Sequence, residues 1–332
     1  MNETKPETGT AEDSTASSVA ERELALQCWY LTGATASGKS IVSLSLAEKL
    51  DAEIISLDSM AIYREMDIGT AKPPAEHRQA VPHHLLDIVE PNELFSVSQY
   101  RERAIQLIRE IRERGKQVLF VGGTALYLKA LLRGWFDGPP ADWDFRKQIE
   151  SELADVSAED LFTRPRSVHP VSADKLHIND RRRIIRALEV YQSTGIPISH
   201  WQVEFDRATP AENCNVFTIR HPRPILHERI EARVHQMFEQ GLVEEVSGLL
   251  AKWSDLSRTA SQAVGYREVI EHLRGERDLE NTMEKVLVRT RRFARHQETW
   301  FRGLQECQII DLDESYEAES VAQQIMSCGS KN

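Results

Sequence analysis

The sequence predicts an α/β fold, a parallel sheet flanked by helices, with a helical segment set into it. Three observations lead there. Apolar runs of strand length at 28–31, 51–58, 118–121 and 216–219 alternate with helical stripes, the pattern of parallel strands joined by helices. The first run passes into a glycine-framed loop and then into a helix. After Gly138-Pro139-Pro140 the character changes, and residues 141–205 show helical stretches with no convincing buried strand.

The glycine-framed loop organises the chain. Gly33, Ala34, Thr35, Ala36, Ser37, Gly38, Lys39 and Ser40 follow the apolar strand Cys28–Leu31, and a helical stripe (Ile41, Leu44, Ala47, Leu50) follows them. Glycine lets the main chain curl and turn its N–H groups onto a phosphate without a Cβ in the way. Lys39 adds a positive charge, Ser40 a hydroxyl suited to Mg²⁺, and the helix N-terminus faces the anion. Phosphate does not by itself mean ATP. A nucleotide hydrolase calls for a strand-end acid near the metal. The strand Val118–Val121 ends in Gly122-Gly123-Thr124 without one, whereas Ile54-Ile55-Ser56-Leu57 ends in Asp58.

The totals narrow the class. A chain of 332 residues holds two ordinary domains, or one large domain with an insertion. No apolar run approaches a membrane span, and the Ser/Thr/Glu-rich start lacks the pattern of a secretory signal. Four scattered cysteines without a CxxC pair suggest reduced thiols in a cytoplasmic protein. Net charge is −11, but residues 1–23 carry six acids against Lys5 and Arg22, and residues 305–332 carry six against Lys331. The ends therefore hold most of the excess, and a near-neutral body is free to present basic faces.

Taken in order, residues 1–23 read as a disordered acidic tail. Asp51–Asp58 is the second strand, and Pro73-Pro74 marks loop. The pair His83-His84 in an extended segment points to packing before metal binding. Ser98–Arg114 has an apolar face (Tyr100, Ala104, Leu107, Ile108, Ile111) and ends at Gly115, the signature of an amphipathic helix. Gly122-Gly123 suits either a close backbone approach to a ligand or a tight turn, and the local sequence does not choose between them.

The densest basic run (Arg164, Arg166, Lys175, Arg181, Arg182, Arg183, Arg186) lies after the double proline, with Asn179-Asp180 as N-cap of a helix through Tyr191. It reads equally as a solvated helix face or as a binder of phosphate backbones. Helices follow at Ile225–Gln240, carrying Arg229 and Arg233 one turn apart, and at Leu242–Lys252. The last long helix, about 282–304, has Val286, Phe293, Trp300 and Leu304 as its expected core stripe amid arginines. Ile309–Leu312 is a candidate edge strand before a mobile acidic end.

Several of these stretches together resemble the tRNA dimethylallyltransferases. They are the phosphate loop itself, Asp58-Ser59-Met60-Ala61-Ile62-Tyr63-Arg64, Asp67-Ile68-Gly69-Thr70-Ala71-Lys72-Pro73, His83-His84-Leu85-Leu86-Asp87, Val121-Gly122-Gly123-Thr124, Arg186-Ala187-Leu188-Glu189-Val190-Tyr191, Val264-Gly265-Tyr266-Arg267 and Thr299-Trp300-Phe301-Arg302. They fall in the family's order. The resemblance implies a P-loop, nucleotide-kinase-like core at 24–138 and 207–312. It also implies an all-helical tRNA-binding insertion at 139–206, between acidic tails at 1–23 and 313–332. It implies transfer of a dimethylallyl group from its diphosphate to the exocyclic amine of an adenosine beside the anticodon of tRNA. Mg²⁺ would lie near Ser40, and neither a membrane nor an obligate protein partner is called for.

By the same resemblance Asp58 is the general base, and Thr35, Lys39 and Arg229 stabilise the leaving diphosphate. Contacts with the tRNA anticodon stem-loop fall to Asp58, Ser59, Met60, Ala61, Thr124, Arg146, Arg182, Arg183, Ile184, Ile185, Arg186, Gln262, Ala263, Val264, Gly265, Tyr266 and Arg267. The chain departs from the family pattern at Ala34, Ala61, Ala125 and Ile178, none of them a group assigned to chemistry. Competing readings are a prenyltransferase acting on free adenylate, a P-loop kinase or ATPase, and a catalytically silent RNA-binding protein.

Overall fold

Six parallel strands form one sheet in the order β3-β2-β4-β1-β5-β6. The computed structural model describes residues 11–134, 138–139, 141–152, 177, 180–201 and 208–329. The strands are β1 (Trp29–Gly33), β2 (Ala52–Ser56), β3 (His83–His84), β4 (Gln117–Gly122), β5 (Asn215–Arg220) and β6 (Gln308–Asp311). β1 is central, with Tyr30 paired to Phe120 of β4 and to Val216 of β5. β2 is buried along its whole length, as a two-face-covered parallel strand must be.

The chain divides into two compact units, Met1–Leu132 with Ala208–Asn332, and Arg133–Arg207. In the larger unit α1 (Ala11–Leu26), α2 (Lys39–Leu50), α3 (Ala75–Ala80), α4 (Val97–Glu113) and α5 (Ala125–Arg133) precede the smaller unit. α4 starts at a capping box in which Ser96 and Gln99 satisfy each other's backbone N–H. Its apolar face (Tyr100, Ala104, Ile105, Ile108, Ile111) packs with Tyr30, Phe120 and Leu128 on one side of the sheet. On the other side Val42 and Leu46 of α2 meet Leu31, Leu119 and Phe217.

Among its described residues the smaller unit carries helices and no strand: α6 (Trp143–Glu152), α7 (Arg181–Thr194) and α8 (Ile198–Trp201). Asp180 caps α7, its carboxylate accepting from the Arg183 N–H, and Gly195 ends it in the left-handed region. Asn179, Ile178, Arg164, Arg166 and Lys175 lie outside the described residues. Back in the larger unit come α9 (Arg223–Glu239), α10 (Leu242–Lys252), α11 (Arg258–Ser261), α12 (Tyr266–Leu273), α13 (Leu279–Arg302) and α14 (Ala318–Gly329).

Both expected tails require correction where the structure describes them, residues 1–10 and 330–332 lying outside the described residues. α1 extends through most of 11–26, and its end is tied down: Ala25 is fully buried, Glu21 pairs with Arg101 at 2.8 Å, and Arg22 donates to the Leu132 carbonyl at 2.9 Å. At the other end α14 buries Val321, Ala322 and Ile325 in the α2 cluster, and Gly329 lies against the Trp29 ring. In 318–329 the acids hid an apolar stripe, Val321, Ala322 and Ile325, that the α2 side of the sheet covers. The core stripe of α13 is also corrected. Its buried positions are Thr282, Val286, Ala294, Gln297 and Phe301, while Phe293 is exposed. The histidine pair packs as expected, with His84 Nε2 on Glu53 Oε2 at 2.6 Å and Arg114 completing the cluster.

Candidate active site

β1, β2 and β4 end side by side, and the loops that follow them form the site. After β1 the chain turns through Ala34–Gly38 into α2. Gly33 needs its freedom, since a Cβ there would stand 2.6 Å from the Ile219 carbonyl. Gly38 holds φ 90° at the N-terminus of α2. Lys39 folds back along the loop, its ammonium donating to the carbonyls of Gly33 (3.0 Å) and Ala34 (2.6 Å). Burial, and then the neighbouring Arg233 charge, pull Lys39 down to about 7, against an upward pull from Asp58. Burial likewise lowers Arg233, with Asp58 opposing. Lys39, Arg233 and Asp58 thus share one electrostatic neighbourhood.

Asp58 follows β2 and is half-buried. Its Oδ1 accepts from the N–H groups of Met60 (2.8 Å) and Ala61 (3.3 Å), so the carboxylate is held by the turn it begins. Oδ2 makes no hydrogen bond among the described residues, leaving one oxygen available to a proton donor. Thr124 ties the β4 loop to this turn: its N–H donates to the Leu57 carbonyl at 3.0 Å, and its Oγ1 accepts from the Ser59 N–H at 3.0 Å. Gly122 allows the approach, because a Cβ there would sit 2.2 Å from the Leu57 carbonyl oxygen. The stacked Tyr100 and Tyr127 rings, 3.8 Å apart, lie within reach of the Asp58 charge, which adds to burial in raising both phenols.

Arg229 lies on α9 and donates from Nε to the Ala36 carbonyl at 2.8 Å, which brings its guanidinium to the loop as expected. Thr35 donates its backbone N–H to Gln297 Oε1 at 2.8 Å. Ser40 is exposed at the first turn of α2. Its hydroxyl makes no hydrogen bond among the described residues, so it fits one ligand of a Mg²⁺ whose remaining ligands are phosphate oxygens and water. No group of three His, Cys, Asp or Glu placed to hold a metal occurs among the described residues.

Two residues escaped the sequence-based assignment. Arg233 was visible one turn beyond Arg229, with nothing to rank it. Gln297 carried no local signal, yet it reaches both the phosphate loop and Gly123, donating to the Gly123 carbonyl at 2.8 Å.

Among the expected RNA-contact residues, exposure separates two kinds. Arg182, Arg183, Gln262 and Arg267 are exposed and Val264 half-exposed. Ile184 and Ile185 form the core of the smaller unit with Ile149, so their part in any contact is to place the arginines beside them. Ala61, Ala263, Gly265 and Tyr266 are buried as well. Tyr266 lies against Gly69 and donates to Glu245 Oε1 at 2.6 Å, while Glu245 Oε2 accepts from the Asp67 and Ile68 N–H groups. Tyr266 is therefore a structural brace of the Asp67–Gly69 loop rather than a contact surface.

Arg146 and Arg186 both clasp Glu189, which is 2% exposed and also accepts from the Asp142 N–H at 2.6 Å. Burial would raise that carboxyl, but the Arg146 and Arg186 hydrogen bonds hold it below its ordinary value. In the larger unit a groove of about 790 Å³ runs between α12 and α13, with Arg267, Lys285, Arg289, Arg292, Phe293 and His296 among its walls.

A phosphate loop, a strand-end carboxylate and two arginines at one sheet edge define a P-loop group-transfer site. A model of the IPP transferase family matches residues 61–304. The chain is 47% identical over 305 residues to a tRNA dimethylallyltransferase of Rhodopirellula baltica, covering 90% of this chain and 91% of that relative. It is 43% identical to one of Pelotomaculum thermopropionicum, covering 90% and 95%. A tRNA isopentenylpyrophosphate transferase structure from Bacillus halodurans superimposes with TM-score 0.66 at 34% identity, over 92% of this chain and 97% of that one. A eukaryotic dimethylallyltransferase acting on tRNA gives 0.73 at 26% identity, over 90% and 76%. The chain belongs to the IPP transferase family, with tRNA dimethylallyltransferases as its relatives.

Proposed function

We propose that this protein transfers a dimethylallyl group from dimethylallyl diphosphate to the N6 amine of the adenosine 3′ to the anticodon in tRNA. The observation that carries the reading is the meeting of Asp58 with the Lys39 loop, in a member of this family. The loop N–H groups receive the diphosphate. As the allylic C–O bond breaks, charge grows on the departing diphosphate, and Lys39 and Arg229 oppose it. The allylic carbon forms its new bond to N6, whose lone pair is delocalised into the purine. Asp58 Oδ2 takes the proton that N6 gives up. Ser40 would hold Mg²⁺ together with diphosphate oxygens, adding positive charge against the leaving group.

The acceptor base lies within a stacked loop and must turn out to reach Asp58. Arg182 and Arg183 of the smaller unit, and Arg267 with the α12–α13 groove of the larger, supply exposed cations suited to an RNA backbone. A competition experiment tests the acceptor. With labelled dimethylallyl diphosphate and equal concentrations of tRNA and AMP, label should enter tRNA. Label in AMP with tRNA untouched would establish the adenylate reading instead.

A further inference from the structure

Tyr316 follows β6, in the segment expected to be a free tail, and its ring stands against the phosphate loop. A Cβ on Gly38 would lie 2.0 Å from the Tyr316 hydroxyl and 3.5 Å from Arg229 Nη2, so tyrosine and arginine converge on the same glycine. The Arg229 guanidinium sits 5.9 Å from the Tyr316 ring centroid, at the outer range of a cation–π contact. Among the described residues Arg229 is otherwise bonded only through Nε, which leaves its Nη groups available to a ligand.

Beneath the tyrosine lies His221, ring centroids 5.3 Å apart. His221 is 4% exposed, and neither ring nitrogen makes a hydrogen bond among the described residues, although the Ser37 backbone is adjacent. The chain is tied down on either side of the tyrosine. The Arg220–Asp311 ion pair at 2.7 Å and the Leu312 N–H on the Arg220 carbonyl fix the chain before it, and the buried face of α14 fixes the chain after it.

We infer that Tyr316 is a positioning residue of the diphosphate site: its ring walls Arg229 against the Ala36–Gly38 loop, so that the arginine meets the donor's diphosphate already aimed. This inference rests on the diphosphate reading above. Packing alone would account for a tyrosine on the apolar cluster. It does not account for an aromatic face turned to an arginine whose forked end is unbound among the described residues, beside a glycine where a side chain would collide with the tyrosine and touch the arginine.

Binding of inorganic pyrophosphate in the presence of Mg²⁺ tests it, on the full-length protein and the variants Y316F, Y316L, R229A and Y316L/R229A. Leucine keeps apolar bulk on the cluster, and thermal unfolding checks that each variant is folded. Y316L should weaken pyrophosphate binding about 3–5-fold and Y316F less than about 2-fold, as expected when a ring face is lost or kept. In the R229A background the Y316L change should vanish, because the tyrosine acts through the arginine. The KM for tRNA should stay unchanged in Y316L.

A Y316L protein that binds as wild type, or a loss that persists in full without Arg229, would overturn the role. Equal losses in Y316F and Y316L would overturn it too, by making the hydroxyl itself the binding group. Wild-type protein that binds no pyrophosphate would instead overturn the diphosphate reading.

Discussion

Gln297, buried on α13, accepts a hydrogen bond from the Thr35 N–H at 2.8 Å and donates one to the Gly123 carbonyl at 2.8 Å. One amide therefore joins the loop after β1 to the loop after β4. Because Thr124 in turn holds the Asp58 turn, the phosphate loop and the carboxylate are registered through a continuous chain of hydrogen bonds. Such a chain matters because reacting groups must be held near their productive geometry before substrate arrives.

Replacing Gln297 with Ala should therefore do more than soften the core. It orphans a buried carbonyl and a part-buried N–H, costing about 1–3 kcal/mol of stability for the carbonyl and less for the N–H, which water can reach. It should also lower kcat/KM for the donor by more than the tRNA KM rises. Chemical denaturation and steady-state kinetics measure the two effects separately. Equal kinetic parameters in the wild type and Q297A would remove the registering role.

Lys39 gives a pH dependence with a definite sign. Its ammonium is pulled down to about 7 in the free protein, from 10.5. A bound diphosphate favours the charged form and raises it again, so binding above about pH 7 takes up a proton. Calorimetry at about pH 8, in two buffers of different ionisation enthalpy, should show this uptake. It should fade below about pH 6, where Lys39 is already charged, and disappear in K39M. Identical proton counts in K39M and the wild type would assign the uptake elsewhere.

His221 sets an acid limit. Burial, and then the Arg229 charge, hold its folded-state value below the ordinary 6.5. Above 6.5 both folded and unfolded chains carry it neutral, and its contribution is constant. As pH falls through 6.5 the unfolded chain takes up a proton that the folded protein refuses, and stability is lost down to the folded value. His83, lowered chiefly by burial, adds a loss of the same sign. Denaturation of H221N at about pH 7.5 and about pH 5 should show a smaller drop than the wild type. An equal drop would mean that His221 is not one of the groups responsible.

In the smaller unit, Glu189→Ala leaves Arg146 and Arg186 without their buried partner. Both arginines are about a quarter exposed, so the loss should fall below the about 3–5 kcal/mol of a wholly buried pair. Hydrogen exchange should show the loss concentrated in α6 and α7. The KM for tRNA should rise while pyrophosphate binding stays as in the wild type. Weakened pyrophosphate binding would show that the smaller unit also serves the donor.

The fold was largely legible because its signals are local. Apolar runs reported the long strands, Gly115 followed the end of α4 as expected, and the turn from β1 into α2 could be read from Gly33, Gly38 and Lys39 set between a strand and a helical stripe. The misreadings have a common physical cause. α14 places acids on one face and buries Val321, Ala322 and Ile325 on the other, and α1 is anchored at its end by Ala25, Glu21 and Arg22, so composition suggested tails where the chain is packed. Phe293 matched a heptad stripe, but α13 turns it to solvent and buries Gln297 instead. Contacts of long sequence separation, such as Gln297 with Thr35 or Tyr316 with Gly38, leave no trace in spacing. Burial is equally silent: Tyr266 stands next to the exposed Arg267 in sequence and is wholly enclosed in the fold.

The central claim is a division of labour in one crevice, with the Lys39 loop holding the departing diphosphate and Asp58 removing the proton from N6. Asn at position 58 keeps an oxygen for the Met60 N–H and loses the basic carboxylate. The most direct measurement is mass analysis of nucleosides from tRNA treated with dimethylallyl diphosphate and either wild-type protein or D58N. The wild type should yield N6-dimethylallyladenosine, and D58N should bind tRNA normally yet turn over at least ~10²-fold more slowly. Equal yields from the two proteins, or no modified adenosine from the wild type, would contradict it.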